Sequence, residues 1–119
     1  MSDSDAPVRD TLAAMTLASI ENSDLSGREH MIARIAALIA VDAPAASYAL
    51  NVGVAADAGV TLDDVQNILV AVAPIVGTTR VASAVVGIAK GLGIVIELMA
   101  EELEAEAEAE AEAAAEDGA

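Results

Sequence analysis

The chain has 119 residues, 55% of them hydrophobic, with no Cys, Phe or Trp, a single Tyr and a formal charge of −15. That length sets one domain, and the lack of Cys removes disulfides, thiolate metal sites and cysteine nucleophiles. The acidity argues against any phosphate-binding surface, so neither nucleic acid nor an anionic membrane is expected as a partner.

The N-terminus, MSDSDAPVRD, is polar and acidic and lacks the basic-then-apolar order of a signal peptide, so a cytoplasmic protein with residues 1–5 disordered is expected. Pro7 suits a first helical turn, and Val8, Leu12, Met15 and Ala18 then share a face of a first helix ending near Ser23. Ser26 and Glu29 have the spacing of a capping box, and MIARIAALIAV continues a second helix to about Val41. Pro44 marks a break and a new first turn, giving a third helix from Ala45 to Ala58 that Gly59 closes. Thr61 opens a fourth, with Asp63 and Asp64 placed to complement its dipole, and Pro74 and Gly77 end or kink it. Thr78 or Thr79 then caps a fifth, longer helix beginning at Arg80. The expected fold is an all-α bundle of about five helices over residues 6–100, followed by an acidic Glu/Ala-rich tail over 101–119.

An interior of Ala, Val, Ile, Leu and Met, without aromatic bulk, suits closely spaced helices and favours cores shared between subunits. Val81 to Ala100 has the length of a bilayer span, and Gly87 and Gly91 stand at a close-packing spacing. Lys90 in mid-span would cost about 2.5–3.5 kcal/mol in a membrane, so the better account is a helix apolar on most sides because its neighbours include other subunits. Ten acids and no base lie between Glu97 and Ala119, whereas Met1 to Ile96 carry ten acids against five bases. The Glu/Ala alternation places like charges at i and i+4, each pair costing about 0.2–0.5 kcal/mol. A frayed helix or solvated coil, serving as a solubilising appendage, is the expectation.

The stretch SGREHMIARIAALIAV, the Pro-containing break, and NVGVAADAGVTLDDVQNILVAVAPIVGTTRVASAV together resemble the carboxymuconolactone decarboxylase family, which includes the alkylhydroperoxidase D-like proteins. The resemblance covers about Leu25 to Leu92, and its most telling part is AADAGVTLDDVQNIL followed by PIVGTTR. It implies an all-α homo-oligomer, a trimer or hexamer, with pockets near subunit contacts. It also implies one of two chemistries: decarboxylation of a muconolactone without a cofactor, or thiol peroxidase activity through a CxxCxxxH pattern. The family's His lies eight residues before the helix-ending glycine, which here falls on Asn51, with the two cysteine places on Pro44 and Ser47. A peroxidase needs a thiolate that cycles through sulfenic acid and a second thiol to resolve it, so that activity is rejected. Decarboxylation needs stabilisation of enolate-like charge and a proton donor; Asn51 offers a hydrogen bond but no proton at neutral pH.

Five polar residues are candidates for a ligand site. His30 and Arg34 are four apart and share a helical face, where Arg34 suits a bidentate carboxylate clamp and His30 a proton exchange. Against this, an imidazole just after the Ser26 cap also fits a solvent-facing or acid-paired role. Ser47, Tyr48 and Asn51 stand three and four apart on the third helix. Tyr48 equally fits an interface or core anchor whose hydroxyl reaches a polar partner, and Ser47 has no visible activating context. If the two faces meet, a small polar pocket results. Arg80 is expected to pair with Asp63, Asp64 or an acid of another subunit, and Lys90 to reach Glu97, an interface carboxylate or solvent. A single His supports no multi-histidine metal site, and no cofactor is expected. Two functions follow: an enzyme or binder for a small carboxylic acid or lactone using Arg34, His30, Tyr48 and Asn51, or a non-catalytic structural or interaction protein whose acidic tail meets a partner.

Overall fold

The computed structural model describes residues 6–117, among which there are five helices and no strand: α1 (Ala6–Glu21), α2 (Gly27–Ala40), α3 (Ala45–Asp57), α4 (Leu62–Val76) and α5 (Thr78–Asp117). The expected disorder of residues 1–5 lies outside the described residues. Two helix starts are built by reciprocal capping. At α2 the Ser26 hydroxyl oxygen accepts from the Glu29 N–H at 3.1 Å and Glu29 accepts from the Ser26 N–H at 2.9 Å. At α4 Thr61 and Asp64 repeat the exchange at 3.1 and 2.8 Å. Replacing such an N-cap residue by Ala costs about 1 kcal/mol.

Helix ends follow a matching logic. The Gly59 N–H donates to the Ala56 carbonyl and the Val60 N–H to the Ala55 carbonyl, with Gly59 at a φ of 86°, so a left-handed residue satisfies the last carbonyls of α3. The same pair of bonds closes α2, from Asp42 to Ile39 and from Ala43 to Leu38. There the left-handed position is held by Asp42, at a φ of 56°. Asp tolerates this region better than most residues with a Cβ. Its Oδ1 accepts from the Ser83 hydroxyl at 2.6 Å, and Arg80 donates to the Ala40 carbonyl at 2.6 Å, so the first turns of α5 grip the α2–α3 corner. Arg80 therefore serves a helix C-terminus, where orphan carbonyls and the negative dipole end attract a cation. It does not pair with Asp63 or Asp64.

Helix α4 ends at Gly77, one of the two residues expected to end or kink it, whereas α5 differs from expectation at both ends. Pro74 does not end α4, which runs to Val76 and stops at Gly77, whose φ is 87°. The bond that Pro74 cannot donate is the one to the carbonyl of Val70, whose side chain is on an exposed face of the helix. Helix α5 starts at Thr78, immediately after Gly77, and continues without interruption through the acidic segment. The tail is thus a prolongation of the helix that packs in the body.

The core centres on Met31, Ile35 and Ile39, four apart on α2, with Tyr48, Ala55, Val60, Ile68 and Ala84 packed around them. Burying a side chain of this size contributes about 1.5–3 kcal/mol. Helices α3 and α5 share the most extensive contact. They run in the same direction, since Ser83 meets Asp42 and Gly91 lies farther along, against Ala45 and Ala49. A Cβ at Gly91 would fall 3.0 Å from the Ala45 carbonyl oxygen and the Ala49 nitrogen, and one at Gly87 would fall 3.0 Å from the Tyr48 ring. Glycine at these two places is what lets the backbones touch. No helix among the described residues is long and apolar enough to cross a membrane.

Helix α1 buries nothing. Val8, Leu12 and Met15 do share a face, yet Leu17 lies half a turn away on the opposite side, so apolar residues surround the helix and no single stripe is matched to the body.

Candidate functional site

Two concave regions flank α3, and Asn51 lines both. One is a recess of about 440 Å³ whose walls include Thr16 of α1, Arg34 and Leu38 of α2, and Leu50, Asn51 and Val54 of α3. Arg34 is the charged residue of this lining, and it makes no hydrogen bond or ion pair among the described residues. Asn51 donates through Nδ2 to the Ser47 carbonyl at 2.8 Å, which fixes its amide and leaves Oδ1 as an acceptor.

The second region is a half-open cleft of about 210 Å³ lined by Ile35, Tyr48, Asn51, Ala55, Val65 and Ile88 among others. It is mostly apolar. Tyr48 is 3% exposed and its hydroxyl has no hydrogen-bond partner among the described residues. Burial, and secondarily the charge of Asp42, pushes the phenol upward from its ordinary range, so it stays protonated and keeps its donor at neutral pH. The expectation that this hydroxyl reaches a polar partner is not met.

The five candidates therefore divide. Arg34 and Asn51 are brought together in the recess, and Tyr48 and Asn51 in the cleft. Ser47 lines neither and acts through its carbonyl. His30 also lines neither region; its side chain is half-buried, with a buried Nε2 that has no partner among the described residues. It is neither solvent-facing nor paired with an acid. One position before Met31, it stands at the flank of the buried stripe of α2. Asp64, an acid at that end of the bundle, is already engaged by Arg28 at 2.7 Å.

Three contributors were not among the candidates. Thr16 sits on a helix with no clear face, so nothing marked it. Ile88 and Leu92 follow Gly87 and Gly91 by one residue and share their side of α5, a signal available in the GxxxG spacing once it is read as a helix contact. Among the described residues no cluster of three His, Asp or Glu is placed to hold a metal ion. Compared with known proteins, the chain matches no family model, no curated protein and no solved structure.

Proposed function

We propose that this chain is a carboxymuconolactone decarboxylase-like protein of the alkylhydroperoxidase D-like fold type, without redox chemistry, whose Arg34–Asn51 recess binds a small carboxylic acid or lactone without a cofactor. The observation that carries the reading is Arg34: a guanidinium with no partner among the described residues, on the wall of a recess that also presents the Asn51 amide. A guanidinium takes a carboxylate through two parallel N–H···O bonds, and an amide fixes a neighbouring carbonyl or hydroxyl. Gly59 and Gly77, both at positive φ, stand where the resemblance has its glycines, which supports the family reading. The lining offers no group that moves a proton at neutral pH, so binding is better supported than lyase turnover. Small acids and lactones should raise the melting temperature, with the shift abolished in Arg34→Ala and partly kept in Arg34→Lys. If no such compound shifts the wild type, the reading fails.

A second reading, a non-catalytic interaction protein, is favoured by the surface. The chain exposes 8219 Å², against about 6,000 Å² for a folded monomer of this mass. Part of the excess is the projecting tail, and part is apolar: Leu12, Met15, Leu50, Val70 and Ile75 are all more than half exposed. Exposed apolar surface on three helices is consistent with contacts to other chains, which supports a homo-oligomer, a trimer or hexamer, under either reading. Sedimentation at micromolar concentration tests the assembly, a monomer counting against it. Loss of a captured partner on removal of the tail would favour the interaction role.

A further inference from the structure

We propose that α5 pairs with α5 of a second copy of this chain, antiparallel and across a two-fold axis, through the face it turns away from α3. This pairing rests on the reading that the chain associates with itself, and it names the face that does so. Ala82, Val86, Ala89, Gly93, Ile96 and Ala100 follow one another at alternating spacings of four and three, the 3.5-residue repeat of helices that pack along a shared seam. Gly87 and Gly91, which meet Tyr48 and Ala45, lie on the other side of the helix. Within the single chain the seam is uncovered: Val86 and Ile96 are 53% and 63% exposed, and the three alanines are exposed as well. A Cβ added at Gly93 would meet nothing within 4 Å among the described residues, so its own chain leaves the approach to this backbone open. Helix α5 has 40 residues against 13 in α3, on which it packs, and helices that outrun about 25 residues suggest a coiled coil.

Direction follows from two features. The first is the symmetry of the seam. About position 91 it reads alike both ways: Ala82 stands opposite Ala100, Val86 opposite Ile96 and Ala89 opposite Gly93. A two-fold contact is made by one patch that is complementary to itself. Here the two smallest residues meet at the axis, where the backbones approach most closely, with a β-branched pair on either side. The second feature is charge. From Glu101 onward the helix carries acids and no base. Parallel chains would set those acids side by side along the whole tail. Antiparallel chains send the tails apart, and the start of each tail passes the N-terminal end of the other α5, where the helix dipole is positive. The overlap is about 40 Å long. Each partner in a standard interface gives up about 800 Å², and the 8219 Å² of this chain exceeds the surface of a folded monomer of its mass by more than that. A lone trimer has no two-fold axis, so the contact belongs to a dimer or to a hexamer of two facing trimers.

The chain has no Cys, so an introduced thiol reports on one position. In the antiparallel pair residue 82 lies opposite residue 100, while the two copies of either position are about 27 Å apart along the axis. A disulfide spans at most about 7 Å between Cα atoms. Ala82→Cys and Ala100→Cys, mixed in the reduced state and then oxidised, should give a covalent dimer that neither gives alone. Adding Ile96→Asp to both should cut its yield by about tenfold or more, because an unpaired carboxylate would be buried in the seam. Ile96 is exposed in the single chain, so the helical circular dichroism of that variant should match the wild type. If Ile96→Asp does not fold, the comparison of the mixture with the two single variants decides the matter. Cross-linking of either variant alone, no covalent dimer in the mixture, or a yield that folded Ile96→Asp leaves unchanged overturns the inference. A lone trimer on sedimentation of the wild type also overturns it and leaves the homo-oligomer reading standing, whereas a monomer overturns both.

Discussion

Arg28 and Asp64 face each other fork to fork, with Nη1 at 2.7 Å from Oδ2 and Nη2 at 3.0 Å from Oδ1, and Nη1 also reaches the Gly59 carbonyl at 3.1 Å. The same carboxylate accepts from the Thr61 N–H, so one side chain caps α4 and ties its start to the start of α2.

Acid should loosen this junction. The Arg28 guanidinium, and then the Thr61 N–H, hold the Asp64 carboxyl well below the usual carboxylate range. The Ser26 backbone and side chain lower Glu29 in the same direction. A depressed pKa stabilises the fold fully above the unfolded value, near 3.9 for Asp, and that contribution is lost as pH falls through the lower folded value. The urea midpoint should therefore be flat from neutral pH to about pH 5 and drop below about pH 4. Asp64→Asn should flatten part of the drop, as measured by urea denaturation across a pH series.

Two glycines of α5, two residues apart, should respond oppositely to one methyl group. Gly91→Ala places its Cβ 3.0 Å from backbone atoms of Ala45 and Ala49. Overpacking against backbone of this kind costs about 1–3 kcal/mol. Gly93 has nothing within 4 Å of such a Cβ, so Gly93→Ala should stabilise the helix by about 1 kcal/mol. Thermal melts of the two variants against the wild type decide it; equal effects would mean that α3 and α5 do not meet as described.

Alkali should unfold the protein as Tyr48 ionises. Its folded pKa is raised by burial and by Asp42, so the stability it contributes is fully present below the unfolded value near 10 and is lost as pH rises through the folded value. The absorbance of the tyrosinate and the loss of helical circular dichroism should rise together above about pH 10.

Salt should strengthen the tail. Glu104, Glu108 and Glu112 stand four apart, and a helix C-terminus is unfavourable for acids. A Debye length of about 3 Å at 1 M salt screens exposed charges that repel across about 10 Å at 0.1 M. Far-ultraviolet circular dichroism should gain helical signal with salt in the full chain, and much less in a chain truncated after Ala100.

Where local chemistry decides a feature, it was legible. Ser26 with Glu29, Thr61 with its following acids, Pro44 and Gly59 each punctuate the backbone through their own atoms, and the five helices fall where those residues place them. Asp42 carries no such local mark, because an Asp in a left-handed turn is held there partly by Ser83, a residue 41 positions away. Charge patterning pairs Arg80 with acids, while the carbonyls of a distant helix end are invisible in a residue pattern. The meeting of Arg34 with Asn51 followed from spacing only under the condition that α2 and α3 face each other. The division into a charged recess and an apolar cleft depends on Ile88 and Leu92 arriving from α5, which spacing along α2 and α3 does not convey.

Helix α5 is 40 residues long and rests on α3 through Gly91. At 1.5 Å per residue, about 39 Å of rod lie beyond that point and about 20 Å before it. Mechanically it is a cantilever: Arg80, Ser83, Gly87 and Gly91 hold its root against the α2–α3 corner and α3, and any bend at that root is magnified along the free length to the acidic end.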